Sequence, residues 1–235
     1  MISLVIPACN EEKRIRGVLI DYQAFAGQNY SNYELLVVCD GCTDRTPEIV
    51  KEFCKQNPRI KLLEFPRKLG KGGGVLEGFK VAKGDLIGFV DADVSISPSD
   101  FDRLVRALEK VDCAIASRYI EGSRILIQQP LVRRVASRVF NLFVRAMFGL
   151  QFRDTQCGAK VMKKEALEGV IPKMISRGYE FDVELLWRIK KCGYNIKEVS
   201  ITWKHERGGF GLKYAPQMFF NLLRVFVSNY VTSLL

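Results

Sequence analysis

Two aspartates one residue apart, Asp91 and Asp93 with Ala92 between them, close the apolar run Leu86-Ile87-Gly88-Phe89-Val90. Carboxylates that close repel unless a cation neutralises them. Hard oxygen donors select Mg²⁺ or Mn²⁺, which bridge readily to a diphosphate. The same spacing also suits a solvated turn capping the next helix, so the pair alone leaves both readings open. Asp40 follows a second apolar run, Glu34–Cys39, where a carboxylate can accept hydrogen bonds from a base or ribose edge. Further on, Arg67-Lys68-Leu69-Gly70-Lys71-Gly72-Gly73-Gly74 precedes a helical pattern. Three successive glycines permit a ligand to approach the backbone at the helix start, or else make a flexible turn with solvated lysines. This is not a Walker A loop, because no serine or threonine follows Lys71.

Other features exclude more than they assign. Cys39 and Cys42 form a C-x-x-C, but there is no second such pair, and the only histidine, His205, is distant in sequence. That argues against zinc. Seven cysteines without a spacing rhythm fit reduced thiols rather than disulfides. Thirty-six basic against 26 acidic residues give a net charge of +10, a field that attracts phosphates, nucleic acid or an anionic membrane face. Aromatic and basic residues do not alternate as in an RNA-binding sheet, which weighs against a nucleotide- or nucleic-acid-binding module and leaves nucleic acid an unexpected partner.

The elements that must position these groups follow from the apolar pattern. Strands are predicted over Ser3–Pro7, Glu34–Cys39, Ile60–Phe65, Leu86–Val90 and Cys113–Ser117, separated by helical patterns, which argues for a mainly parallel sheet. Ligands of such sheets sit at the carboxyl ends of the strands. Thr46 and Ser97, each followed by proline, are predicted N-caps. Glu121–Gln129 reads as a loop, Phe181–Lys191 as a helix and Ile196–Trp203 as one strand. Leu131–Leu150 is apolar nearly all round and carries Arg133, Arg134, Arg138 and Arg145. It is either a helix resting on a membrane surface or a core helix whose arginines snorkel outward. Tyr214–Leu235 is a second amphipathic segment. Its apolar part is short and holds Asn221, Arg224 and Asn229, so no spanning helix is expected. Charged residues from Glu11 onward follow the N-terminal apolar run too soon for a signal peptide.

Taken together, the strand-end segments resemble the family-two glycosyltransferases. Ile6-Pro7-Ala8-Cys9-Asn10-Glu11-Glu12 is similar to the family's P-x-x-N-E opening. Cys39-Asp40-Gly41-Cys42-Thr43-Asp44-Arg45-Thr46 is similar to its D-D-G-S-T-D-x-T, Gly70-Lys71-Gly72-Gly73-Gly74-Val75 to its K-G-x-A-V loop, and Asp91-Ala92-Asp93 to its metal motif. Ala116-Ser117-Arg118-Tyr119, Arg153-Asp154-Thr155-Gln156-Cys157-Gly158-Ala159-Lys160 and Phe181-Asp182-Val183-Glu184-Leu185-Leu186 resemble the branch that loads a sugar onto dolichyl or another polyprenyl phosphate. They lie nearer its glucose members than its mannose members. Cys39 and Cys42 stand in place of an aspartate and a serine, Leu76 in place of a common arginine, and Ser95 in place of a glutamine of the mannose enzymes. The Arg207–Gly211 loop lacks the usual serine and lysine.

The resemblance implies an α/β fold of GT-A type: a single Rossmann-like domain over 1–235 with a mainly parallel central sheet, helices on both faces, and amphipathic membrane-surface helices. Residues 1–118 would bind the nucleotide sugar, 119–212 the acceptor, and 213–235 would form the C-terminal amphipathic helix. The implied reaction is inverting transfer of a hexose onto dolichyl or polyprenyl phosphate, with UDP-glucose as donor and GDP-mannose second. The implied place is the cytoplasmic face of a membrane. Pro7, Ala8, Asn10, Glu11, Asp40, Lys71, Gly72, Asp91, Ala92 and Asp93 would hold the donor, with Mg²⁺ or Mn²⁺ at Asp91 and Asp93. Arg118, Arg133, Arg134 and Ser137 would grip the acceptor phosphate. The groups expected at the reacting atoms are Asp93, Arg118, Arg133, Asp154 and Gln156, with Asp154 alternatively orienting an arginine. A phosphate acceptor needs no general base, since its second pKa is about 6. A hydroxyl acceptor would need one, and Asp182 or Glu184 would then supply it.

Overall fold

The computed structural model describes residues 1–204 and 214–232, and side chains through Ser228. Strands β1 (Ile2–Ala8), β2 (Tyr33–Asp40), β3 (Ile60–Phe65) and β4 (Leu86–Val90) are linked by helices α1 (Ile15–Asn29), α2 (Thr46–Gln56) and α3 (Lys71–Val81). Then come α4 (Pro98–Ala107), β5 (Cys113–Ser117), β6 (Arg124–Ile127), α5 (Leu131–Phe148), β7 (Ala159–Lys163) and the short α6 (Lys164–Glu168). The last elements are α7 (Phe181–Lys191), β8 (Ile196–Ser200), β9 (Thr202–Lys204) and α8 (Ala215–Thr232).

Seven strands form one sheet in the order β3-β2-β1-β4-β7-β5-β8. β1 is parallel to β2 on one side and to β4 on the other, so the strand order reverses there. The crevice beyond the carboxyl ends of β1 and β4 is the point where open α/β sheets take ligands. β2 is buried along its whole length, which is why it reads as an almost unbroken apolar run. On one face of the sheet lie Val18, Leu19, Phe53, Phe101 and Leu104 from α1, α2 and α4. On the other lie Leu76, Phe79, Phe148, Leu186 and Leu222 from α3, α5, α7 and α8.

Several expectations are revised. β7, not anticipated, runs antiparallel to both β4 and β5. The predicted loop Glu121–Gln129 contains β6, which pairs with β9 in a separate two-stranded sheet. Ile196–Trp203 is two strands belonging to different sheets, broken at Ile201. All three revisions concern pairing with chain distant in sequence, which local periodicity does not carry. Ser97 caps α4 as expected, accepting from Asp100 N at 3.1 Å. Thr46 does not cap α2: the helix starts at Thr46 itself, with Arg45 at the cap position. The Thr46 hydroxyl accepts from Glu11 N at 2.8 Å and donates to Asp44 at 2.6 Å, tying the loop after β1 to the loop after β2. The core-helix reading of Leu131–Leu150 holds for its last turns. Val144 and Phe148 are buried in the core, whereas Leu131, Val132, Val135, Val139 and Leu142 face outward. His205 and the Arg207–Gly211 loop lie outside the described residues.

Candidate active site

Asp91 and Asp93 leave β4 at the switch point. Because β7 is antiparallel to β4, its start lies beside the end of β4. Asp91 N donates to Gly158 O at 2.9 Å, and the α-carbon of Gly158 lies so close that a Cβ there would stand 2.1 Å from Asp91 Oδ2. Lys71 Nζ lies 2.8 and 3.1 Å from the two Asp91 oxygens and 3.8 Å from Asp182 Oδ2. Asp182 in turn accepts from Lys160 Nζ at 2.5 Å, and Lys160, wholly buried, also donates to Cys157 O at 3.0 Å. Both ammonium groups lie over the Phe89 ring, at 5.6 and 5.3 Å. The charges therefore alternate as Asp91, Lys71, Asp182 and Lys160, which lets four ionised groups share one poorly solvated place.

Of these, Asp91 stays open to a ligand, its side chain 30% exposed against 2% for Asp182. Burial pushes the Asp91 carboxyl above the usual carboxylate range; Lys71 opposes the shift and Asp93 adds to it. Burial would depress the Lys71 ammonium, but Asp91 and Asp182 outweigh it and hold Lys71 above the usual lysine value. Asp93 Oδ1 accepts from Ser95 N at 3.1 Å, and the intervening Val94 sits at φ 53°, strained for a β-branched residue.

Among the described residues, no three acidic, cysteine or histidine side chains gather into a complete metal cage. Two carboxylates nevertheless suit Mg²⁺ or Mn²⁺ bound together with a diphosphate, because Mg²⁺ commonly takes one or two protein carboxylates and completes its shell with phosphate and water. The surplus negative charge that Asp93 places beside Asp91 fits the same ion.

The loops after β1 and β2 form the second wall. Asn10, at φ 59°, accepts from Thr43 N at 2.8 Å and donates to Thr43 Oγ1 at 3.2 Å. Glu11 is gripped by Arg14 at 2.6 and 2.8 Å; burial raises its carboxyl and Arg14 counteracts this. Pro7 is half-buried, while Ala8 and Ala92 are buried, so these three contribute wall and backbone.

Asp40 is 6% exposed, and its two oxygens accept from Leu69 N and, at 3.0 Å, from Gly70 N. The residue expected to meet a base or ribose also fixes the loop that delivers Lys71. The expectation for the glycines is revised. Gly72 N and Gly73 N donate to Gly178 O and Arg177 O, at 3.2 and 2.9 Å, so the start of α3 is occupied by protein. A Cβ on Gly70 would lie 2.4 Å from Arg177 O, and one on Gly72 2.3 Å from Phe181 Cβ. These glycines let α3 press against the 177–181 segment rather than against a ligand.

The Cys39 thiol hydrogen-bonds the Cys42 sulfur and lowers the Cys42 thiol to about 7, whereas burial pushes Cys113 and Cys157 up to about 12. Brief alkylation with iodoacetamide at pH 7.5, mapped by mass spectrometry, should therefore modify Cys42 before Cys113 and Cys157. Equal labelling would contradict this assignment.

The arginines divide into two groups. Arg118 is 9% exposed and meets Asp154 through Nε at 2.7 Å and Nη2 at 2.9 Å, with its backbone N adding a third bond at 3.0 Å. Tyr119 and Trp203 each lie 5.2 Å from the guanidinium. Asp154 thus takes its alternative role and orients an arginine. Beside this pair is a shallow surface cleft lined by Tyr119, Ser137, Arg138, Asn141, Arg153, Asp154, Thr155 and Gln156. Ser137 therefore reaches the cleft, and Gln156 also donates to Tyr179 O at 3.4 Å. Arg133, half-buried one turn before Ser137, shares its helix face without lining the cleft, and Arg134 turns away to Gln128 at 2.8 Å.

Glu184 is fully buried and holds the 175–176 backbone and Arg188, with bonds of 2.6 to 3.1 Å. Neither it nor Asp182 is placed to act as a base. The sequence reading did not connect Lys160 to the site. A lysine inside the apolar run Cys157–Met162 was the available signal, since a buried lysine requires a carboxylate partner.

The profile of the family described as "Glycosyl transferase family 2" matches residues 3–171. A dolichyl-phosphate beta-glucosyltransferase of Saccharomyces cerevisiae is 31% identical, with 88% of this chain aligned to 68% of that protein. The Dictyostelium discoideum protein of the same name is 28% identical over 86% of this chain and 66% of its own length. The chain thus spans about two thirds of the length of these curated relatives. Among solved structures, glucosyl-3-phosphoglycerate synthase from Mycobacterium tuberculosis, in complex with Mn²⁺, UDP-glucose and phosphoglyceric acid, superposes with a TM-score of 0.72 at 19% identity. The match covers 97% of this chain and 79% of that one. It establishes a shared fold.

Proposed function

The chain belongs to glycosyl transferase family 2, and from that premise we propose that it transfers glucose from UDP-glucose to the phosphate of dolichol or another polyprenol, with inversion at the anomeric carbon. Its resemblance to the dolichyl-phosphate glucosyltransferases supports the donor and acceptor. The observation that carries the choice of acceptor is the commitment of Asp182 to Lys160 and of Glu184 to Arg188 and backbone. A hydroxyl nucleophile would have no base in either, whereas a phosphate is already anionic at neutral pH.

Residues 1–118 form the donor half in this reading and 119–212 the acceptor half. A divalent cation held by Asp91 and Asp93 would offset the charge of the nucleoside diphosphate. Lys71, already cationic against Asp91, supplies further positive charge where the leaving group departs. Lys160 and Asp182 keep Lys71 in place. The arginines across the cleft hold the acceptor phosphate so that one oxygen faces the anomeric carbon from the side opposite the diphosphate, and an α-linked donor then gives a β-linked product.

A lipid acceptor requires the enzyme at a bilayer. No helix among the described residues is long and apolar enough to cross one. The outward stripe Leu131, Val132, Val135, Val139 and Leu142, flanked by arginines and continued by Phe219 and Phe220 of α8, suits peripheral attachment. Phe143 and Phe219 stack at 4.7 Å and join the two helices. The net charge of +10 favours the anionic cytoplasmic leaflet. Replacing Val135, Val139 and Leu142 together by glutamate should weaken co-sedimentation with phosphatidylserine vesicles by roughly tenfold or more, since each side chain contributes about 1.5 kcal/mol or more when buried. The KM for a short water-soluble prenyl phosphate should stay within about threefold, and undiminished vesicle binding would remove this face from the account.

The function itself is tested with radiolabelled UDP-glucose and GDP-mannose, each incubated with polyprenyl phosphate in detergent, scoring label in the organic phase. Label from UDP-glucose is expected. Label from GDP-mannose alone would reassign the donor, and transfer only to a soluble glycan would overturn the acceptor.

A further inference from the structure

We propose that Arg138, held over the Tyr119 ring, is the main phosphate-binding residue of the acceptor cleft, with Arg153 as a second contact, and that Arg118 acts as a positioning residue. The inference rests on the phosphate-acceptor reading above and concerns which side chains carry it out.

Arg118 is already committed to a partner within the protein. Two of its N–H donors and its charge are taken by Asp154, its side chain is buried, and two aromatic rings flank its guanidinium. A phosphate drawing on it would have to compete with a bidentate carboxylate in a poorly solvated place. Arg138 is the opposite case. Its guanidinium lies 3.9 Å from the Tyr119 centroid, exposed on the cleft wall, and no carboxylate pairs with it among the described residues. Stacking on the ring fixes the plane of the fork while leaving its N–H edges free.

Arg153 lines the same cleft, also without a carboxylate partner among the described residues, and its backbone N is anchored to Glu198 at 3.0 Å. Ser137 and Thr155 hydroxyls and the Asn141 amide complete a lining rich in donors. The Asp154–Arg118 strut fixes two neighbours of the cationic groups, because Tyr119 follows Arg118 in the chain and Arg153 precedes Asp154. Gln156, which lines the cleft, stands two residues before Gly158, which touches Asp91, so at most about 7 Å separates those two α-carbons.

The test uses the full chain with UDP-glucose and citronellyl phosphate, a water-soluble prenyl phosphate that separates phosphate binding from membrane attachment. Arg138→Gln should raise the KM for citronellyl phosphate roughly 10- to 100-fold, the range expected for lost charge-assisted hydrogen bonds, while the KM for UDP-glucose stays within about threefold. Arg138→Lys should recover part of the loss, and Arg153→Gln should shift the same KM in the same direction by less. Arg145→Gln, a charge removed elsewhere on the same helix, should leave it within about twofold. An unchanged KM in Arg138→Gln, with a wild type that glucosylates citronellyl phosphate, overturns this inference and leaves the proposed function standing. A wild type that glucosylates no prenyl phosphate overturns both.

Discussion

Gly158→Ala should lower kcat by at least about 100-fold while leaving the protein folded. The added methyl would lie 2.1 Å from Asp91 Oδ2 and 2.5 Å from its Cγ, distances that no packing tolerates. The adjoining backbone is fixed by the bond from Asp91 N to Gly158 O and by the β4–β7 ladder, so the carboxylate must swing away. Displacing a charge-positioning group by about 1 Å costs on the order of 100-fold in rate, and removing one costs on the order of 100- to 1000-fold. The carboxylate is the mobile end of a short side chain, so the cost to stability should be about 1 kcal/mol, a shift of roughly 2–4 °C in a chain of this size. Steady-state kinetics and a thermal melt on one preparation separate the two effects. A variant retaining a third of wild-type kcat would show that Asp91 is not where the reaction depends on it.

Arg118→Met should destabilise the protein by about 3–5 kcal/mol, the usual consequence of leaving one buried charge without its partner. Asp154 would keep only the backbone bond from residue 118 on its oxygens, at 3% exposure. Asp154→Leu should cost a similar amount by stranding the guanidinium between Tyr119 and Trp203. The double variant Arg118→Met/Asp154→Leu should recover much of the loss, because two apolar side chains of similar volume can replace a buried ion pair. Urea unfolding of all four proteins measures the coupling, and simple additivity would mean that the pair contributes nothing jointly. Activity supplies the readout that stability alone does not. If Arg118 positions Tyr119 and Arg138, the stable double variant should still show an acceptor KM raised about tenfold with an unaltered donor KM. Full recovery of both constants would reduce the pair to a structural strut.

The alternation of apolar runs and helical patterns through Ser117 was sufficient for the first five strands and their helices, because each signal is local: period, proline, cap, turn. The same locality placed Asp91, Asp93, Asn10 and Asp40 at strand ends, where a parallel sheet puts its ligands, and the order of the motifs identified the family. What each group does was decided by contacts between segments far apart in the chain. Asp40 reads as a ligand for a nucleoside, and only the fold shows that it also clamps residues 69–70. The glycines after Lys71 looked like a ligand cradle and are instead the place where α3 meets Arg177 and Phe181. Asp182 looked like a candidate base and is neutralised by Lys160. The largest difference is the direction of β7: had it run parallel, Gly158 would not lie beside Asp91. Strand direction and partner choice come from burying both faces of the sheet at once, a collective property of the packed chain that no short stretch of residues encodes.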